Sequence, residues 1–238
     1  MRFSLVDGVR HPPSPKLKGI CPNCGSDMVA KCGRVKIWHW AHKGNDHCDQ
    51  WWENETQWHR DWKDNFPIEW QEISHADPIT GERHIADIKT PHGLTIEFQH
   101  SRLKEEERMS REKFYENLVW VVDGLRGDLD KAYFDMGLSG PIQRDPLAYQ
   151  VQWYGRGRFL HNWEEKSAKV FLDFGGENLW RFPFFEPEEK RGMVGPVPKS
   201  AFIEDCLRGE PFRAAVIDDD DSSKDMPRPM QEIYRSNR

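Results

Sequence analysis

Between residues 68 and 101 apolar side chains recur at alternate positions in three runs, "IEWQEISH" (68–75), "RHIADIKT" (83–90) and "LTIEFQHS" (94–101). The runs are separated by the turn-forming stretches "ADPITGE" and "PHG". A period of two predicts three strands in a meander, and it also fixes which side chains share a face. Ile88 on the second strand and Ile96 and Phe98 on the third form the core row. Asp87 and Lys89 then project from the opposite face, as do Glu97, Gln99 and Ser101. A hairpin closing across 90–94 brings the two acid-bearing rows onto one face. Opposed carboxylates repel unless a cation lies between them. Mg²⁺ or Mn²⁺, hard ions that take oxygen ligands, suit Asp87 and Glu97 together with the backbone carbonyl of residue 98.

The flanking segments switch from a period of two to a helical one. "QWWENETQWHRDWKDNF" (50–66) contains neither Gly nor Pro and predicts a helix ending at Pro67. On it Glu55, His59 and Lys63 fall at i, i+4, i+8, which sets an acid, an imidazole and an ammonium along one stripe, with Glu55 paired to His59. Trp58 and Trp62 form a second stripe suited to packing on the sheet. "LKEEERMSREKFYEN" (103–117) predicts a charged amphipathic helix, and "LVWVVDG" (118–124) a buried strand. The order over 50–124 is helix, three strands, helix, strand. Further on, "AYQVQWYG" and "AKVFLDFG" predict strands, and "PKSAFIEDCLRG" a short helix stopped by Gly209. Cys206 has no evident partner and is expected to be a small buried apolar residue. From about Asp218 the chain is polar, charged and Pro-containing, and disorder is expected.

Four of the five cysteines (Cys21, Cys24, Cys32, Cys48) lie close together near the N-terminus. "CPNC" is a cysteine pair with knuckle spacing, which delivers two thiolates to a tetrahedral Zn²⁺. The closing pair comes from "WHWAHKGNDHC", where His39, His42, His47 and Cys48 are candidates and Cys32 a possible substitute. The favoured set is Cys21, Cys24, His42 and Cys48, with His39 as the leading replacement. Four protein ligands make a structural site, because no coordination position is left open. The domain organisation expected is a zinc-binding module over 1–49, an α/β core over 50–125, a mixed extension over 126–215 and a tail over 216–238.

At this point the motifs resemble a known family. The element order, with Asp87 followed by Glu97-x-Gln99, is similar to the PD-(D/E)XK nuclease core, the restriction-endonuclease-like α+β fold. More specifically, "CPNC", "HWAH", "ENETQWHRDWK", "ADI", "IEFQHS" and "SREKFY" resemble the competence protein CoiA family of nucleases over about residues 20–124. The resemblance implies that Asp87 and Glu97 hold a catalytic Mg²⁺ or Mn²⁺ and that Glu55 approaches the same ion. Gln99 sits where the wider fold has a lysine, so Lys63 or Lys89 would supply the positive charge, with His59 in range. Arg111 and Tyr115, at i, i+4, would bind phosphate or orient Glu97, and Ser101 would contact nucleic acid. The implied chemistry is hydrolysis of a DNA phosphodiester.

Composition bears on partners. The net charge of −6 argues against a generally basic nucleic-acid binder, yet residues 1–50 carry a local surplus of Lys and Arg. Most of the eleven tryptophans are expected to be packing residues. No apolar run approaches the roughly 18 residues that a membrane span needs, and the N-terminus lacks a signal peptide's apolar region, so a cytoplasmic protein is expected. Two other functions fit the same sequence. One is a catalytically inactive nucleic-acid-binding protein with a nuclease fold. The other is an adaptor for DNA uptake, recombination or defence.

Overall fold

A computed structural model describes residues 1–44, 48–51, 53–144, 147–164 and 166–210. His47, one of the zinc candidates, and the tail from 211 onward lie outside the described residues. The chain is a mixed α+β protein dominated by two sheets.

The first sheet is formed by β1 (Ser4–Val6), β2 (Val9–His11), β3 (Lys18–Ile20), β4 (Asp27–Lys31) and β5 (His39–His42), in the order β2-β1-β3-β4-β5. Its own core is small: Met1, Cys21, Met28 and Trp40 are buried together.

The second sheet has nine strands. After α1 (Gln57–Lys63) come β6 (Gln71–Ala76), β7 (Arg83–Lys89) and β8 (Thr95–Gln99), then α2 (Glu105–Phe114) and β9 (Leu118–Asp123). β6, β7 and β8 pair antiparallel, as the alternating pattern predicts, with Ile88 opposite Ile96 across the hairpin. α2 then crosses over, so β9 lies parallel to β8. Beyond it lie α3 (Asp130–Gly137), β10 (Leu138–Arg144), β11 (Leu147–Gln152), β12 (Lys169–Asp173), β13 (Asn178–Glu186), β14 (Arg191–Pro198) and α4 (Lys199–Arg208). β12 runs parallel to β9, and the full order is β10-β11-β14-β13-β12-β9-β8-β7-β6. The strands after residue 126 therefore extend the same sheet.

β9 shows why the sheet needs cover on both sides. Leu118, Trp120 and Val122 face one apolar cluster, which includes Tyr115 of the α2 end and Phe134 of α3. Val119 and Val121 face another, which includes Trp62 of α1 and Phe202 and Cys206 of α4. Cys206 is fully buried, in keeping with its expected role. Gly209, at φ +69°, stops α4 in the left-handed conformation that glycine adopts without a Cβ clash.

Two element boundaries differ from expectation. The first helix begins at Gln57, because Thr56 caps it in a reciprocal hydrogen-bonded box with His59, and residues 53–55 stay extended. Residues 68–70 form a 3-10 turn rather than the start of a strand, and β6 begins at Gln71.

β6 and β10 are the sheet's edges. β6 is covered by the first sheet: Arg10 donates to the carbonyls of Ile68 (3.1 Å) and Gln71 (2.6 Å), and Ser74 hydrogen-bonds Asn23. β10 is interrupted by two register shifts and carries Pro141.

Lys166 packs inside the second half of the chain, where its ammonium donates to the carbonyls of Trp163 and Pro183 and lies over the Phe182 ring. Burial, reinforced by the nearby Arg108 guanidinium and only partly offset by Glu112, pushes its pKa down to about 7. In the unfolded chain a lysine titrates near about 10.4. Between those values the unfolded state binds more protons, so stability rises with pH across this window, and it levels off at its lower value below about pH 7. Urea unfolding at pH 6, 8 and 10 should show that rise for the native chain, and Lys166→Met should flatten it and be the more stable protein at pH 6.

Candidate active site and metal centre

The "CPNC" turn folds as a knuckle. Cys21 N–H donates to the carbonyl of Ser26, and Gly25 N–H returns to that of Cys21, with Gly25 at φ +76° closing the turn. β5 then presents His42. The ligand atoms of Cys21, Cys24, His42 and Cys48 all lie within 4.8 Å of one another. Cys21 Sγ is 3.7 Å from Cys48 Sγ, and Cys24 Sγ is 3.4 Å from His42 Nε2. Zinc–sulfur bonds of about 2.3 Å in a tetrahedron set sulfurs about 3.8 Å apart, so this Cys₃His group could hold a metal such as zinc. The donor set is the favoured one. His39 does not join it: its Nδ1 lies 2.9 Å from the carbonyl of Ile37 on the same strand end. Cys32 is also outside the group. Around the ligands, Asn23 donates to Cys48 Sγ and Ser26 hydrogen-bonds Cys24.

From Cys48 the chain runs directly into an acidic pocket. Asp49 accepts from the backbone N–H of Trp51 and Ile85 and pairs with His84 at 2.8 Å. Trp51 stacks on His84, and its carbonyl accepts from Arg111. Glu53 accepts from His59 Nε2 (2.9 Å), from the backbone N–H groups of His100 and Ser101, and from the Gln99 amide. Burial alone would raise the Glu53 pKa, but the hydrogen bonds from His59 and Ser101 bring it down to about 2. His59 thus pairs with Glu53 rather than with Glu55, because the helix starts after Glu55 and its stripe begins a turn later.

At the centre of the pocket is Lys63, 3% exposed, in the last turn of α1. Its ammonium lies 2.9 Å from Asp87, 3.2 Å from Glu55 and 3.3 Å from Glu72. Burial works against its charge, but Asp87, Glu72 and Glu55 outweigh that and hold its pKa well above the usual lysine value. Glu72 sits at φ +47°, a conformation that a β-strand residue with a Cβ rarely adopts. Its carboxylate also takes both Arg2 and Phe3 backbone N–H groups, tying the first sheet to the second.

Beyond the Ile88–Ile96 pair, β7 and β8 have no further registered pairs. Side chains fill the opening: Phe98 N–H donates to Asp87 Oδ2 (3.0 Å), and Asp87 N–H donates to Glu97 Oε1 (3.3 Å). Arg111 Nη1 donates to Glu97 Oε2 at 3.0 Å. Burial, then the Asp87 charge, push the Glu97 pKa up to about 8 despite Arg111.

Several expected site residues lie elsewhere. Lys89 turns from the pocket and donates to Thr95 Oγ1 (2.9 Å) and the Gly93 carbonyl, because it sits past the point where the strands close together. Arg111 and Tyr115 are buried, at 5% and 2% exposure. Arg111 donates to Glu97, Glu107 and the Trp51 carbonyl. Gln99 does not reach Asp87; its amide holds Glu53 and Ser101. Ser101 is exposed, and its carbonyl accepts from Arg126. The pocket's further acids, Asp49, Glu53 and Glu72, carried no sequence signal, since each lies at an element boundary where periodicity lapses.

The fold and its donor sets define a sheet-based protein with a Cys/His metal module joined to a buried acidic pocket. Residues 16–50, which hold all four metal candidates, match the family model for the N-terminal domain of competence protein CoiA. This match supports a CoiA-like family. No curated protein and no solved structure matches the chain.

Two outcomes follow. Purified protein should carry about one zinc per chain, and a chelator that removes it should abolish hydrogen-exchange protection in residues 18–42. Metal below about half an equivalent, with protection unchanged, would rule the site out. Separately, Lys63→Met should cost about 3–5 kcal/mol in urea unfolding, because it leaves Glu72 and Asp87 without their cation and Glu55 with Arg60 alone. Adding Glu72→Gln should recover part of that loss.

Proposed function

We propose that the chain is a metal-dependent nuclease that hydrolyses DNA phosphodiester bonds, with a PD-(D/E)XK-type core, working in competence or a related DNA-processing role. The order α1–β6–β7–β8–α2–β9, with β8 and β9 parallel, supports this reading, as does the CoiA match over the metal module.

The observation that carries it is the charge balance around Lys63. One ammonium faces three carboxylates, Glu55, Glu72 and Asp87, while Glu97 is matched by Arg111. Arg60 also pairs with Glu55 at 3.0 Å, so one negative charge is left over in the pocket, where it is costly unless compensated. A divalent cation is the counter-charge that fits, and Asp87 and Glu97 at the parted strands are the oxygen donors that would hold it. The residues fit by chemistry rather than by preassembly: among the described residues only the Cys/His group gathers three ligand atoms within 4.8 Å. When bound, Mg²⁺ or Mn²⁺ would polarise the phosphoryl oxygen and lower the pKa of a water.

The chain's own groups have separable tasks. Lys63, 2.9 Å from Asp87, supplies the fixed positive charge that the wider fold takes from a strand lysine, so Gln99 is free to act as a scaffold. Glu55 and Glu72 hold the ammonium in place, and Arg60 steadies Glu55 at 3.0 Å. Arg111 fixes the rotamer of Glu97.

A second reading, a nucleic-acid-binding protein without catalysis, is favoured by the same lysine, which already compensates part of the acid cluster. Incubation of purified protein with single-stranded and duplex DNA in Mg²⁺ or Mn²⁺ separates the two. Cleavage is expected, falling by at least about 100-fold in Asp87→Ala and in Glu97→Ala. Equal cleavage by both variants would remove the site assignment. DNA binding without cleavage under any divalent ion would favour the second reading.

A further inference from the structure

The segment between β4 and β5, residues 32–38, is the most exposed basic and apolar surface near the acidic pocket. Val35 is 97% exposed and Trp38 44% exposed, with Arg34 and Lys36 beside them. Neither cation makes an ion pair among the described residues. The Trp38 indole is fixed in place: its Nε1 donates to the carbonyl of Gly33 at 3.1 Å. Its own carbonyl accepts from Arg60, whose guanidinium also grips Glu55 in the pocket. A cavity of about 380 Å³ runs along this segment, lined by Lys36, Ile37, His39 and Thr56, and it shares Glu55 with the acid pocket.

We propose that this loop is the entry platform for a single-stranded nucleic acid, with one unpaired base stacked on Trp38 and the flanking phosphates on Arg34 and Lys36. The proposal deepens the nuclease reading by naming the form of its substrate. Charge complementarity selects an anionic partner, since Arg34 and Lys36, both exposed, lie on the same short loop as the ring. The held, exposed indole selects a single strand, because a base inside a duplex has no free face to stack on it. Lys36 lines the cavity that shares Glu55 with the acid pocket, and this gives the direction: a strand leaving the loop past Lys36 reaches Glu55, and behind it Lys63 and Asp87. The acidic remainder of the molecule repels the backbone elsewhere, which confines contact to this rim.

The test uses the full-length zinc-loaded chain and fluorescein-labelled oligonucleotides in a fluorescence anisotropy titration without added Mg²⁺ or Mn²⁺. The probes are a 20-nucleotide single DNA strand, the matching duplex and the same strand as RNA. Single strands should bind about tenfold tighter than duplex, and Trp38→Ala should weaken single-strand binding by about 5- to 150-fold. Trp38→Phe, which keeps a stacking face, should restore most of it. Arg34→Ala/Lys36→Ala should reduce the slope of log affinity against log salt by about 1.4, at roughly 0.7 per phosphate released. The DNA and RNA arms decide which strand the platform prefers, and either preference supports it. Unchanged affinity in Trp38→Ala with bound zinc intact would overturn the proposal, as would equal binding of duplex. Binding that depends on Arg34 and Lys36 but not on Trp38 would also overturn it and leave an electrostatic phosphate contact without base stacking. The two readings fail separately. Cleavage with no dependence on Trp38 leaves the nuclease and removes the platform, whereas Trp38-dependent binding without cleavage does the reverse.

Discussion

A lysine ammonium sealed inside a protein needs its full complement of acceptors, and Lys63 takes them from three places in the chain. Its carrier is α1, and its partners come from the segment before α1 (Glu55), from β6 (Glu72) and from β7 (Asp87). Each partner has a further attachment. Glu72 takes two backbone N–H groups from the first strand region of the small sheet, and Asp87 takes that of Phe98 on β8. The ammonium is therefore the point at which the small sheet, the helix and the parted strands are referenced to one another. Removing a buried charge of this kind leaves its partners desolvated and unmatched, a larger cost than the pair's net contribution. The unfavourable φ of Glu72 is the local strain that this arrangement sustains.

The short run from Cys48 to Glu55 links the two halves of the molecule in another way. Within eight residues it supplies a thiolate to the metal group, Asp49 to β7, the Trp51 carbonyl to α2, Glu53 to the end of β8 and Glu55 to Lys63. Irregular chain of this kind is held by these side chains and carbonyls. The metal module is thus a structural part of the acidic pocket's wall rather than an appended domain.

Much of this was legible in sequence. Asp87 and Glu97 were placed on one face by the period of two in "ADIK" and "TIEF" alone, and two metal donors by the knuckle spacing of "CPNC", with the closing pair chosen among several His and Cys candidates of "WHWAHKGNDHC". Lys63 was visible as a member of a helical stripe with Glu55, although Glu72 and Asp87 were not visible as its partners, because tertiary contacts set those pairs. Glu53 and Glu72 were invisible for a physical reason. One is extended chain held by backbone N–H groups of a distant strand, and the other is an off-region strand residue, so neither obeys a local period. β10, β13 and β14 were missed because Pro and Gly interrupt their patterns, and their pairing is set by the neighbouring strands. Lys89 misled because the period gives the face of a strand but not how far along the opening the side chain lies.

The two ends of the large sheet bear on how this molecule meets others. At β6 the carbonyl of Gln71 is already taken by Arg10 of the small sheet; at β10, Pro141 and two register shifts break the row of pairing groups. A foreign strand therefore finds no continuous template at either end. Growth into fibres by strand addition is discouraged, and capture of a partner by extending the sheet is as well. Recognition must pass through side chains and loops, which leaves the sheet itself as scaffold.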